Sequence, residues 1–566
     1  MSSEHGQRAW GRSHWGILAI TALAAPLLLW ALARHPFWSD EAVTAFYARS
    51  IVTTGRGLPR AWDGRNLMAY AGGWSLDRNM IATGYPNPLL QFYVAAPFFA
   101  LMGREHATLA GRLPFALLGL ATILLTYALV RRWTSDVAAA LTAALLLATN
   151  VQYLLFMRQC RYFALGAFLT VLLLWFYLLL DARRTWSWLA FGFCAALLFH
   201  THLLMFVGLA VGLAVAWVAC DRSASRLGAL LRALPIALAL TAPFALHCLR
   251  LEEYPGAGKS LSERLRLCGW FLRDMNLCSF FPVLALPLLG WVLVERREGH
   301  WQVHRSALFL LLLAAVQVLI TGFLSPQPLR PGEIEHADVR YVANLLPICA
   351  VLLGFVVARL WRWWPPAAVL VLFLLIGTNL LTLTRPRSFL AKYLGELARG
   401  YRTNIAQVMD LMQALVEPDA LVLVEPPHQR SPLIFYLGDR YRFCGILAAN
   451  DQHILPRHRH TLPEYVYSGD VVPDWIVMFG ERHRSVRQDI SNNLARRGVV
   501  FEEYRTQIYY QDISRPELLW HRFRSWPEGP IAPRLCVIFL HRVSRTSKPA
   551  LPREITPDPS GTGPKN

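Results

Sequence analysis

Residues 17–32 read ILAITALAAPLLLWAL, and the chain then runs through Phe37-Trp38-Ser39-Asp40-Glu41-Ala42. An apolar run followed at once by two adjacent acids decides the class of the protein. Further apolar runs of about 20 residues recur along the chain, long enough as helices to cross roughly 30 Å of hydrocarbon. Two carboxylates at the first exit from such a run are costly unless they are solvated, paired or used. Composition agrees with a membrane protein: of 566 residues, 55% are hydrophobic and 16% charged, with mean hydropathy +0.33. The first run is not a cleavable signal, because it is long, lacks a small-residue cleavage site and precedes more spans.

Candidate spans lie near residues 14–34, 112–131, 136–156, 162–181, 186–201, 203–220, 227–249, 279–295, 305–325, 340–359 and 364–384. The run 88–103 is short and contains Pro97. If it does not cross, the arginines at 131/132, 183/184, 222/226, 296/297/305 and 359/362 all fall on the side of Arg8 and Arg12. That distribution satisfies the positive-inside rule, whereas a crossing would invert every later loop. Residues 88–103 are therefore expected to lie in the interface or re-enter it. The formal net charge of +19 is then mostly a topology signal. It points to anionic lipid headgroups rather than nucleic acid.

The expected fold is a polytopic α-helical membrane protein of about eleven spans with a C-terminal soluble α/β domain. Residues 1–385 form the membrane module, 35–111 its first outer loop, 386–545 the soluble domain and 546–566 a disordered Pro/Ser/Gly-rich tail. In the soluble part, periodicity predicts one amphipathic helix over 390–416, β-like runs at 420–425, 475–479, 499–504 and 535–541, and a helix over 432–437. No Gly-rich phosphate loop follows any of these runs. The nine cysteines contain no CxxC pair. Cys268 with Cys278, or Cys444 with Cys536, could pair in an oxidising compartment.

Several polar groups fall on the outer face in this topology. Ser39 is a good N-cap, and acids in a first helical turn suit the macrodipole, so Asp40 and Glu41 could be capping residues. The functional alternative is a general base within reach of an attacking hydroxyl. Adjacent helical side chains diverge by about 100°, so one acid would face the chemistry and the other brace the site. Arg158 and Arg161 break the charge rule. They fit a phosphate clamp, with snorkelling to headgroups as the alternative. Arg340 and Tyr341 open a span and are either interfacial anchors or a further phosphate contact. His200-Thr201-His202 could hold a metal, although no third ligand is fixed by spacing and hydrogen bonding is favoured. The turn Tyr85-Pro86-Asn87-Pro88 suits a helix entry and could form the site wall opposite Asp40. Lys259, Arg264, Arg266 and Arg273 lie in a long loop, 250–278, expected to be an outer lid. Arg457-His458-Arg459-His460 reads as a solvated loop.

Taken in order, these segments resemble the GT-C membrane glycosyltransferases. The nearest group is the dolichyl-phosphate-mannose protein mannosyltransferase-like enzymes (glycosyltransferase family 39-like), including lipid A aminoarabinose transferases. Trp38-Ser39-Asp40-Glu41-Ala42 resembles that family's first loop. Tyr85-Pro86-Asn87-Pro88-Leu89 resembles its His-Pro-Pro-Leu turn, with Asn87 in place of the second Pro and Tyr85 where His often stands. Gly103 to Arg112, Arg158 to Tyr162, Thr201-His202, and Arg340-Tyr341 with Pro347 resemble further elements, over roughly residues 14–385. The resemblance implies transfer of a hexosyl or pentosyl group from a polyprenyl-phosphate donor to a hydroxyl of a lipid, glycan or protein. Asp40 would be the base with Glu41 in support. Arg158, Arg161 and Arg340 would hold the donor phosphate, with Tyr85, Tyr162, His202 and Tyr341 around them. Inversion follows from one displacement, and the expected role is cell-envelope glycosylation at a bacterial inner membrane, with the site and soluble domain outside. No cofactor is fixed, and a divalent metal stays open. The competing reading is a multi-span transporter or lipid flippase. Against it stand the apolar span centres and the absence of an internal repeat. A scaffold that binds partners through its tail would leave the acidic loop unexplained.

Overall fold

The structure, a computed structural model, describes residues 2–54, 57–68, 89–249, 259–279, 290–291, 294–297, 300–327, 337–377, 388–399, 402–444, 462–467, 471–480, 498–509, 534–543 and 553–554. Among the described residues, five helices are long and apolar enough to cross a membrane: Ala107–Thr134, Leu203–Asp221, Ala224–Leu246, Arg305–Leu324 and Val339–Trp363. A bent pair, Val137–Thr149 and Val151–Met157, makes up to six, and five shorter apolar helices accompany them. Among the described residues, long apolar helices thus supply five or six spans against the expected count of about eleven, and one of the shorter helices, Leu90–Met102, is the segment expected not to cross. Most of the expected span 279–295 lies outside the described residues, and its end, Val294–Arg297, is strand β1, paired antiparallel with β2, His300–Val303.

Exposed side chains identify the lipid-facing belt. Leu101 (83% exposed), Leu231, Leu238 and Phe373 are large, apolar and uncovered, which suits contact with acyl chains rather than water. Trp186, Trp361, Trp363 and Trp364 are exposed together at one end of the bundle, as amphipathic indoles are at a membrane interface. Inside the bundle, small residues let backbones meet. A Cβ on Gly354 would stand 2.8 Å from the Ala139 carbonyl oxygen, and one on Gly212 would stand 2.8 Å from that of Leu313. Such close approach is how membrane helices gain packing energy where burial from water is not available.

Three local departures from the expected pattern have simple causes. The expected span 136–156 is bent by 67°, because the Asn150 side chain accepts from the Tyr153 N–H at 2.7 Å and starts a new helix. The expected helix over 390–416 is two helices, Phe389–Arg399 and Asn404–Leu415. Thr403 restarts the second by accepting from the Ala406 N–H at 3.1 Å. The loop 250–278 contains a 19-residue helix, Leu261–Ser279, seated on the helix Arg305–Leu324 where Gly322 leaves room for Cys268.

The C-terminal part is a mixed sheet of six strands. In chain order these are β3 (Leu421–Glu425), β4 (Arg442–Cys444), β5 (Trp475–Phe479), β6 (Val500–Tyr509), β7 (Arg534–Val543) and β8 (Arg553–Glu554), with spatial order β4-β3-β5-β7-β6-β8. β3 is parallel to both β4 and β5, while β7 is antiparallel to β5 and β6. The α/β expectation holds for this sheet. β3 and β5 are buried along their whole length, which explains their unbroken apolar runs. Cys268, Cys444 and Cys536 are free thiols, so the suggested pairings of Cys268 and Cys444 are not formed. The segment 457–460 and nearly all of the tail 546–566 lie outside the described residues.

The sheet domain and the first outer loop are clamped together. The Asn66 side chain donates to the carbonyls of Gly438 (2.9 Å) and Tyr441 (3.2 Å) and accepts from the Phe443 N–H (2.8 Å). The Tyr436 hydroxyl accepts from the Phe37 N–H at 2.9 Å and shares a 2.7 Å hydrogen bond with Thr108. Phe37 meets Phe435 edge-on at 5.2 Å. The short helix Arg430–Leu437 therefore lies directly over the helix that carries the acidic pair.

Candidate active site

The acidic pair opens the helix Ser39–Thr53. Trp38, not the expected Ser39, is the N-cap residue, and Ser39 is the first helical residue. The reason is Glu41: its carboxylate reaches back to the Trp38 N–H at 3.5 Å, which satisfies a helix-end donor without a serine cap.

Glu41 is 1% exposed. Arg112 grips it through two parallel bonds, Nε to Oε1 at 2.8 Å and Nη2 to Oε2 at 2.6 Å. The Cys160 N–H adds a third donor at 2.8 Å. Arg112 also donates to the carbonyls of Leu32 (2.8 Å), His35 (2.8 Å) and Pro36 (3.2 Å). One guanidinium thus ties the end of the first apolar helix, the acidic turn and the helix Ala107–Thr134 into one unit. Gly111 makes this possible, since a Cβ there would stand 2.5 Å from Phe37 Cζ.

Asp40 points away from this knot, as successive helical residues must. Its Oδ2 receives Arg340 Nη1 at 2.9 Å, and Arg161 Nη2 lies 3.4 Å from the same oxygen. Its Oδ1 has no partner among the described residues. Its side chain keeps 17% exposure. Arg340 is steadied by Asp338, with Nε 2.8 Å from Oδ2. Arg161 donates to Thr44 Oγ1 at 3.1 Å. Tilted rings wall the cluster: the Tyr162 ring centroid lies 4.4 Å from that of His202, and His202 5.7 Å from Tyr341. Arg161 sits over Tyr162 and Arg340 over Tyr341.

The structure therefore brings Asp40, Arg161, Arg340, Tyr162, His202 and Tyr341 together, with Glu41 directly behind. It separates Arg158 from them. That guanidinium caps the first apolar helix through the carbonyls of Leu27 (3.0 Å), Leu28 (2.9 Å) and Trp30 (2.7 Å). With Glu41, Arg112 and Tyr393 it lines a small cavity of about 70 Å³ behind the acidic turn. Tyr85 lies outside the described residues. His200 Nε2 meets the Leu240 carbonyl at 3.0 Å, and His202 Nδ1 accepts from the Met205 N–H at 3.4 Å. Among the described residues, no three His, Cys, Asp or Glu side chains converge as a metal site. Asp40, Glu41 and Asp338 each face arginine instead.

Two supporting groups complete the site. Arg112 stands 71 residues from Glu41, and the sequence marks it only as the end of the family-like segment Gly103 to Arg112. Asp274, 1% exposed, accepts from the Ala337 N–H at 2.6 Å and anchors the segment that presents Asp338 and Arg340.

Known proteins share a sequence segment and the fold with this chain. Residues 86–247 match the family described as dolichyl-phosphate-mannose-protein mannosyltransferase. No curated protein gives a significant match. Among solved structures, ArnT from Cupriavidus metallidurans bound to undecaprenyl phosphate aligns with TM-score 0.54 and 15% identity, covering 93% of this chain and 98% of that one. The Archaeoglobus fulgidus oligosaccharyltransferase in complex with Zn and sulfate aligns with TM-score 0.52 and 12% identity, covering 86% and 72%. The chain thus has the GT-C membrane glycosyltransferase fold, and its segment 86–247 matches the dolichyl-phosphate-mannose-protein mannosyltransferase family.

Proposed function

We propose that the protein is an integral membrane glycosyltransferase that moves a sugar from a polyprenyl-phosphate donor to an acceptor hydroxyl, with inversion. The observation that carries this reading is the division of labour on Asp40. Oδ2 faces two guanidinium groups, while Oδ1 is open and partly exposed. An oxygen held by two cations is fixed in place, and the open oxygen can accept a proton. The family match and the undecaprenyl phosphate named for the solved neighbour support the donor class.

In the proposed step, the acceptor oxygen attacks the anomeric carbon as its proton passes to Asp40 Oδ1. The bond between that carbon and the phosphate oxygen breaks, and its electron pair leaves with the polyprenyl phosphate. The departing phosphate gains negative charge, so it needs cations rather than an acid. Arg161 and Arg340 stand at the site with several N–H donors each, and they can turn one toward the phosphate while steadying Asp40. Arg158 acts through the first helix, whose end it caps. Glu41 acts through Arg112, holding the turn that aims Asp40. Tyr162, His202 and Tyr341 form the wall.

The acceptor is a hydroxyl of a lipid, glycan or protein, and the transferred group is a hexose or pentose. The site and the sheet domain face the outside of a bacterial inner membrane. A transporter or flippase is disfavoured because the charged cluster gathers at one end of the bundle rather than its midplane. Asp40→Asn in purified, reconstituted protein should lower sugar transfer from a lipid-linked donor by about 10²–10⁴-fold. Wild-type turnover by a normally folded Asp40→Asn protein would remove the general base, and donor translocation without donor consumption would favour transport.

A further inference from the structure

The far end of the helix bundle holds a second polar cavity, of about 460 Å³. Arg112 and Arg132 lie on the same helix, Ala107–Thr134, and their 20-residue separation puts this cavity about 30 Å from the acidic pair. Arg132, Arg226 and Arg305 line it from three different helices, and Asp221 is its one carboxylate. Asp221 is already engaged: its Oδ2 accepts from the Tyr177 hydroxyl at 2.6 Å and pairs with Arg226. Arg132 and Arg305 have no carboxylate partner among the described residues. Two like charges lining one concavity raise its positive potential and favour an anion within it. A single π-helical turn, Trp217–Asp221, shapes the wall and places Asp221. Such turns recur at functional sites in helical proteins.

We propose that this cavity binds the phosphate of an anionic lipid headgroup. It sits where a bundle meets the membrane surface, and apolar groups such as Trp133 and Phe309 line it beside the arginines. A phosphodiester headgroup meets both needs, with charge for Arg132 and Arg305 and an acyl stem along the bundle. The site is separate from the sugar-transfer site, and its assignment does not depend on that reading.

The test uses the full-length protein in phosphatidylcholine nanodiscs with and without phosphatidylglycerol, with retained lipid measured by native mass spectrometry. Each arginine near an anionic headgroup strengthens binding about fivefold, so Arg132→Gln/Arg305→Gln should weaken phosphatidylglycerol retention about 30-fold. Arg132→Lys/Arg305→Lys keeps the charge and should retain most of it, which separates lost binding from lost folding. Phosphatidylglycerol should also raise the unfolding temperature of the wild type and not that of the Gln variant. Equal retention by wild type and the Gln variant overturns the proposal. So does full displacement of the lipid by millimolar inorganic phosphate, which would assign the cavity to a soluble anion.

Discussion

Glu41→Gln separates a structural acid from a chemical one. In the native protein, Glu41 accepts two bonds from Arg112 and one from the Cys160 N–H, at 1% exposure. A glutamine keeps one acceptor oxygen and turns an NH₂ toward the guanidinium, where a donor faces a donor. Arg112 keeps its three backbone carbonyls, but its charge loses its only carboxylate among the described residues. Breaking a buried pair from one side costs about 3–5 kcal/mol. Arg112→Met should cost at least as much, because it strands Glu41 and the three carbonyls. The double variant should then cost less than the sum of the singles by about 0.5–3 kcal/mol, the coupling expected of groups in direct contact. The assay is SDS-induced unfolding in mixed micelles, followed by tryptophan fluorescence. Asp40→Asn serves as the contrast, since loss of its partly exposed carboxylate should shift the transition far less while lowering transfer by about 10²–10⁴-fold. A Glu41→Gln protein with an unchanged transition, or additive single and double variants, would refute the view that this pair builds the turn.

Two further outcomes probe the sheet domain. Asn66→Ala removes three hydrogen bonds to residues 438–443, and each stranded buried group costs about 1–3 kcal/mol. Hydrogen exchange over 434–444 should quicken while the helix Ala107–Thr134 stays protected, and unchanged exchange would show that the clamp does not hold the domain. Glu425, at the end of β3, has its carboxyl pushed up to about 6 by burial, with Arg430 opposing the shift. A raised carboxyl favours the protonated folded state, so stability is greatest below the ordinary value near 4.5 and falls as pH rises through about 6. Glu425→Gln should remove that slope and stabilise the full-length protein at pH 7 by roughly 1–2 kcal/mol. A pH-stability profile identical to wild type would show that Glu425 is not the group responsible.

What could be read from the sequence, and what could not, follows from the range of the forces involved. Hydrophobic runs and turn residues act over a few positions, so the apolar helices and the apolar strands β3 and β5 are legible. Charge asymmetry acts across a whole span, and it predicts Asp40, Arg161 and Arg340 on one face, where the structure brings them together. The bend at Asn150 and the restart at Thr403 were missed because a side-chain cap competes with apolar periodicity, and the periodicity carries straight through both positions. Burial and pairing across the fold leave almost no local trace. Arg158 and Arg161 look alike as an outer-face pair, yet one caps a helix end at Leu27, Leu28 and Trp30 and the other reaches Asp40. The same reasoning separates the two acids. Their adjacency forces them apart, and Arg112, contributed by a distant helix, pairs with Glu41 and buries it. A site of this kind is specified by local spacing only up to the choice of candidates, and the choice among them is made by helix ends that meet in space.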